Sequence, residues 1–124
     1  TAEYLRYSLR FYSKACDSCD EVMEQLVAAN VEVIGSRGAS ELGEIAMLRA
    51  RACGLEVGAV VDPACAGSAL SGHTVVAKTS EASSVGAWLV TDLRSSQSAY
   101  DELCDSFGPE CVFAPSILGL RLRT

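Results

Sequence analysis

A nearly continuous apolar run at 55–61, closed by Asp62 and Pro63, constrains the fold more than any other feature of the sequence. Such a run is typical of a strand that is buried on both faces of a parallel sheet. Parallel strands must be joined by a crossover, and the residues before the run supply one. Residues 31–34 predict a short buried strand, and a small-residue loop at 35–40 leads into a helix. We therefore predict a βαβ unit.

The helix of this unit is marked at both ends. Ser40 is a preferred N-cap residue, and Glu41 and Glu44 place negative charge in the first turn, where it suits the helix dipole. Gly54 predicts the end of the helix. The residues expected on its buried face are Leu42, Ile45, Ala46 and Cys53.

Further apolar runs, separated by polar or Gly-rich segments, follow the βαβ unit. The predicted strands are 74–77, 86–92, 111–113 and, at the sheet edge, 117–122. A helix is predicted at 99–107, where Gly108 and Pro109 end it. The expected fold class is α/β: a three-layer, Rossmann-like domain with a short, mostly parallel sheet and a long N-terminal helix.

Residues 1–30 are predicted to form a connecting helix, since 2–30 contains neither Pro nor Gly. Its apolar residues are spaced alternately by four and three, the pattern of a coiled coil. We call this set the heptad seam: Leu5, Leu9, Tyr12, Cys16, Cys19, Met23 and Leu26. A second apolar row beside it indicates that the helix also packs on its own domain. We expect a homodimer through 1–30 and a Rossmann-like domain at 31–124.

Length and charge limit the possible functions. With 124 residues, 49% of them hydrophobic, the chain can close one core but not two. Its net charge of −6, without a basic stripe, predicts no direct binding to nucleic acid. No segment approaches the roughly 20 apolar residues of a membrane span. Because the first residue is Thr and no leader precedes the folded pattern, we expect a cytoplasmic domain cut from a longer protein.

The loop after the first predicted strand is a candidate ligand site, because Gly-rich turns before a helix let backbone N–H groups approach a phosphate. Asp62 lies 24 residues after Gly38, close to the roughly 20-residue spacing at which an acid reaches a ribose hydroxyl. Ser40 stands where a middle glycine is expected, which favours a compact ligand or a purely structural loop. The candidate residues for a nucleotide-like ligand are Gly35, Gly38, Ser40, Gly43, Asp62, Thr91 and Asp92.

Three interpretations are open for Cys16 and Cys19. They can be small buried residues of a helix, a CxxC redox motif resembling that of glutaredoxin, or ligands of a metal ion or iron–sulfur cluster together with Cys53 or Cys65. The heptad seam runs unbroken through both residues, no Val-Pro pair precedes the long buried strand, and CxxC pairs of zinc sites lie on turns. We expect reduced thiols, with Cys53 and Cys104 as inert core residues and Cys16, Cys19 and Cys65 as candidates for any metal or redox role.

Three segments resemble the effector portion of bacterial transcription regulators that join a winged helix to a C-terminal Rossmann-like domain. They are the Tyr-rich helix at 1–9, the loop and helix at 38–46, and the strand at 55–62 with its terminal acid. The resemblance implies a dimeric sensing domain whose winged helix, outside this sequence, contacts DNA. A related arrangement occurs in N-terminal domains of nucleotide-sugar acyltransferases. The cysteine content departs from the ordinary pattern of such effector domains.

No constellation of residues suggests catalysis. His73, the one histidine, lies in a Gly/Ser-rich loop without a nucleophile or carboxylate pair beside it in the sequence. We therefore expect a ligand- or redox-sensing, dimerising effector domain of a transcription regulator rather than an enzyme. The alternatives are a glutaredoxin-like thiol oxidoreductase and a nucleotide-sugar-binding domain of an acyltransferase.

Overall fold

The computed structural model describes residues 2–123 and contains three α-helices and six strands within that range. The helices are α1 (Ala2–Ala28), α2 (Glu41–Ala52) and α3 (Ser96–Phe107). The strands are β1 (Val33–Arg37), β2 (Glu56–Val61), β3 (Ala69–Leu70), β4 (His73–Thr74), β5 (Ala87–Val90) and β6 (Val112–Phe113). Short 3₁₀ turns lie at Pro63–Cys65, Thr79–Glu81, Pro109–Cys111 and Ser116–Leu118.

The main sheet has the strand order β2-β1-β5-β6, and all its neighbouring strands are parallel. The chain leaves β1 towards β2 on one side and later returns to pair β5 on the other side of β1. This reversal is the topological switch point at which open α/β sheets form a crevice. Strands β3 and β4 form a separate antiparallel pair. The predicted fold class is confirmed.

Two apolar cores cover the two faces of the sheet, because side chains alternate along each strand. In β5, Ala87 and Leu89 belong to the core beneath α1 and α2, whereas Trp88 and Val90 belong to the core beneath α3. Both faces of the strand are therefore buried. This alternation produces the three layers that the sequence predicts.

The ends of α1 and α2 follow from their terminal residues. Ser40 caps α2 as predicted: its Oγ accepts a hydrogen bond from Gly43 N. Cys53 is the C-cap of α2, and it is exposed rather than buried as predicted. Helix α1 ends two residues earlier than predicted, and Asn30 follows with a left-handed φ of 61°. None of the helices within 2–123 combines the length and apolar composition needed to span a bilayer.

The prediction of an edge strand at 117–122 is wrong. The chain there forms the Ser116–Leu118 turn, and Gly119 takes a left-handed φ of 61°. Backbone groups that would pair in a ladder bond to α3 side chains instead: Arg121 N donates to Gln97 Oε1, and Arg123 N donates to the Tyr100 hydroxyl.

The segment predicted as a strand at 74–77 is also shorter and placed differently. It contributes only Thr74 to β4, followed by one isolated parallel bridge between Val76 and Val61. The preceding Gly-rich loop holds β3, which pairs β4.

Candidate functional site

The carboxyl ends of β1, β2 and β5 meet at one edge of the sheet and surround a cleft of about 540 Å³. We call it the carboxyl-edge cleft. Its walls include Ser40, Asp62 and Asp92, three residues that the sequence predicts as a site. Its volume lies within the range of roughly 300–1,000 Å³ that is usual for small-molecule sites.

Gly35 does not belong to the loop in which the sequence placed it. Strand β1 continues to Arg37, so Gly35 is a buried strand residue that pairs Trp88 of β5. A Cβ at Gly35 would lie 2.5 Å from Cζ3 of Trp88. The glycine is explained by the space that the indole ring needs, not by an approach to a ligand.

Gly38 and Gly43 hold the loop against the end of β5. Gly38 has a φ of +133°, and a Cβ there would lie 2.3 Å from Asp92 N. A Cβ at Gly43 would lie 2.7 Å from Gly38 O. Gly38 N donates to Val61 O at 2.9 Å. Both glycines therefore allow close packing between backbone segments.

Thr91, a predicted site residue, does not line the carboxyl-edge cleft. It is fully buried, and its Oγ1 donates to Gly38 O and hydrogen-bonds Ser36 Oγ, both at 2.7 Å. Ser40 Oγ donates to Thr91 O at 2.5 Å. These bonds connect the loop at 38–40 to Thr91, the residue before Asp92.

Asp62 is a structural acceptor in this arrangement. Its Oδ2 accepts from Ala39 N at 2.9 Å, and its Oδ1 accepts from Ala64 N at 3.0 Å. The carboxylate thus connects the end of β2 to the loop and caps the Pro63–Cys65 turn. Each oxygen keeps a further lone pair, so a hydroxyl in the cleft can still donate to it.

Asp92 lies on the wall of the carboxyl-edge cleft opposite Asp62 and accepts hydrogen bonds from the backbone that follows it. Its Oδ1 accepts from Arg94 N at 2.8 Å and from Ser95 N at 2.7 Å. Its Oδ2 lies 3.5 Å from Nη1 of Arg37, whose Nη2 lies 3.8 Å from Glu102. The Arg94 and Ser95 side chains line the cleft and are exposed.

Sequence reasoning missed Arg37, Arg94 and Ser95. Arg37 carried a usable signal, since it is a charged residue next to the predicted Gly-rich turn. For Arg94 and Ser95, the signal was that they directly follow Asp92.

The cysteines are distributed over the structure. Cys16 and Cys19 are buried in the middle of α1, and burial raises the pKa of the Cys19 thiol to about 12. Cys65 is half-buried and lines the carboxyl-edge cleft. Within 2–123, no three His, Cys, Asp or Glu side chains form a group that could hold a metal ion. All six thiols are free.

The heptad seam divides into an exposed and a buried half. The exposed fractions of Leu5, Leu9 and Tyr12 are 62%, 69% and 56%. The buried members, none more than 6% exposed, are Cys16, Cys19, Met23 and Leu26. The first half of α1 therefore presents an apolar face to solvent, and large contiguous faces of this kind mark interaction surfaces.

The groups around the carboxyl-edge cleft are hydrogen-bond donors, acceptors and charges suited to binding. His73 is half-buried on β4 and does not line the cleft.

Comparison of the chain with known protein families, curated protein sequences and solved structures found no match.

Proposed function

We propose that this chain is a dimerising, ligand-sensing effector domain of a bacterial transcription regulator, and that it acts in the cytoplasm without catalysing a reaction. The observation that carries the proposal is the carboxyl-edge cleft at the switch point of a Rossmann-like sheet, where such folds bind ligands. The resemblance of three of its segments to effector domains of winged-helix regulators supports it.

The ligand proposed for the carboxyl-edge cleft is small and nucleotide-like. The exposed Arg94 guanidinium can pair with a phosphate, and the Ser95 hydroxyl can bond beside it. Asp62 has spare lone pairs for a ligand hydroxyl. Recognition therefore centres on Arg94, with Asp62 mainly shaping the loop.

The occupant proposed for the exposed half of the heptad seam is a second copy of this chain. The exposed members of the seam, Leu5, Leu9 and Tyr12, follow the four-three spacing by which one helix packs against a like helix in a coiled coil. Pairing of the exposed halves of two copies covers these side chains, whereas the buried half of each helix stays packed on its own domain.

Ligand sensing is favoured over thiol chemistry by the position of the cysteines. A reactive CxxC thiol needs a lowered pKa, such as a helix N-terminus provides. Cys16 and Cys19 instead lie in the middle of α1, and the raised pKa of Cys19 keeps that thiol protonated. The cysteines are therefore assigned a packing role in this proposal.

Calorimetric titration with NAD, ADP-ribose and a nucleotide sugar tests the ligand proposal. We expect at least one to bind, and we expect Arg94→Ala to raise its Kd about tenfold or more, as loss of a charge-assisted bond worth about 1.5–3 kcal/mol implies. The matched control is Arg121→Ala, since Arg121 is exposed and does not line the cleft. Absence of heat with every compound, or equal effects of the two variants, would contradict the proposal.

A further inference from the structure

A second cavity of about 260 Å³ lies between the ends of β1 and β2 and the inner side of α3. It shares Arg37 and Pro63 with the carboxyl-edge cleft but has its own polar residues, Lys78, Thr79 and Ser106. The volume is below that of usual small-molecule sites, so only a small group fits.

Arg37 lies at the wall of this second cavity with unused hydrogen-bonding capacity. Its side chain is only 12% exposed, and its ion pairs with Asp92 and Glu102 measure 3.5 and 3.8 Å. Charge-assisted N–H···O bonds are usually about 2.7–2.9 Å long. Since a guanidinium has five N–H donors, most of them remain available to another acceptor.

Lys78 adds a second positive charge to the same wall. Within 2–123, no carboxylate lies within ion-pair distance of its ammonium group. The cavity is lined by two cations, Arg37 and Lys78, and by the carboxylate of Glu102, while Asp92 pairs with Arg37 from the carboxyl-edge cleft. Of the two cations, Lys78 is therefore the one whose charge no carboxylate among residues 2–123 offsets at ion-pair distance.

We propose that the second cavity binds a small oxyanion, the phosphate or carboxylate group of a metabolite. The planar fork of Arg37 matches the geometry of such a group, and Lys78 supplies a point charge. The hydroxyls of Thr79 and Ser106 line the cavity and can donate to the remaining oxygens. The second cavity adjoins the cleft of the proposed function and shares Arg37 with it, but the proposed anion binding does not depend on that function.

Titration of the whole chain with inorganic phosphate and, separately, with acetate at constant ionic strength tests the site. The chain offers a matched pair of variants, because Lys14 and Lys78 are its only lysines and both are exposed. We expect Lys78→Ala to raise the Kd of the bound anion at least about tenfold, and Lys14→Ala to leave it unchanged. Glu102→Gln should lower the Kd several-fold, because it removes the competing carboxylate.

The variants in which anion affinity is lost decide between the second cavity and the carboxyl-edge cleft. Binding that responds to Lys78→Ala but not to Arg94→Ala supports the second cavity, whichever of phosphate or acetate binds more tightly. Binding that responds to Arg94→Ala alone would place the anion in the carboxyl-edge cleft and overturn the inference. So would equal losses in the two lysine variants, or no binding of either anion.

Discussion

The two halves of α1 follow the same heptad spacing, yet one is buried and the other is exposed. In the second half, the seam residues belong to the core beneath α1 and α2. Polar contacts beside the seam fasten this half to the domain: Arg49 of α2 pairs with Asp20, and Ser18 Oγ accepts from Ile117 N. In the first half, the seam residues Leu5, Leu9 and Tyr12 face solvent. The periodicity thus predicts which face of a helix is apolar, but it does not predict what covers that face.

The boundary between the halves lies where the body of the domain ends. Ala15 and Cys16 are buried, whereas Tyr12, one turn earlier, is exposed. Before this point, Phe11 still packs against the core, whereas Leu5, Leu9 and Tyr12 are each more than half exposed. We infer that the buried half stabilises the fold and that the exposed half serves association.

The largest difference between the two halves is expected when one leucine in each half is replaced and the free energy of unfolding is compared. Leu26 is fully buried, so Leu26→Ala should lower the free energy of unfolding by about 2–5 kcal/mol. Leu5→Ala removes an exposed side chain and should change the stability of the monomer by no more than about 0.5 kcal/mol. Urea unfolding at a chain concentration low enough to keep both variants monomeric measures the difference. Similar decreases in the free energy of unfolding of the two variants would show that the two halves of α1 do not differ in their contribution to stability.

A smaller effect is expected from the titration of Cys19, which belongs to the buried half. Its pKa rises from 9.0 to about 12 on folding, chiefly because the thiolate would lose its hydration. Below pH 9.0 the thiol is protonated in both states, so its contribution to stability is fully present. As the pH rises from 9.0 towards about 12, the unfolded chain ionises first and stability falls.

Urea unfolding on either side of pH 9.0 checks this expectation. Cys19→Ala should flatten the alkaline decline, whereas Cys53→Ala, at an exposed position, should leave it unchanged. An unaltered decline in Cys19→Ala would show that another group controls it.

Most of the fold could be predicted from local signals. The apolar run at 55–61 indicated a parallel strand, and Ser40 indicated the start of α2, because both signals lie within the segment that they describe. The wrongly predicted strand at 117–122 shows the limit of such signals. Its backbone groups bond to Gln97 and Tyr100 of α3, which are 24 and 23 residues away in the sequence, and nothing local to the segment indicates them.

The candidate site could be located from the sequence but not resolved in detail. Asp62 and Asp92 were predicted as site residues, and both line the carboxyl-edge cleft, because the carboxyl ends of parallel strands meet there. Their hydrogen bonds to the backbone of neighbouring loops depend on tertiary packing. The same is true of Gly35, whose neighbour Trp88 lies 53 positions away in the sequence. Residue types predict where chemistry can occur, whereas packing decides which groups remain available for it.

Sedimentation equilibrium of the wild-type chain and of Leu9→Asp tests most directly whether the exposed half of the heptad seam binds a second copy. Each apolar side chain of this half is worth about 1.5–3 kcal/mol when fully buried, and a charge in its place must stay hydrated. Leu48→Asp is the matched control, since Leu48 is 61% exposed on α2 and lies outside the seam. We predict twice the chain mass for wild type and Leu48→Asp at micromolar concentration, and the single mass for Leu9→Asp. A wild-type chain that sediments as a monomer, or a Leu9→Asp variant that remains dimeric, would contradict the account.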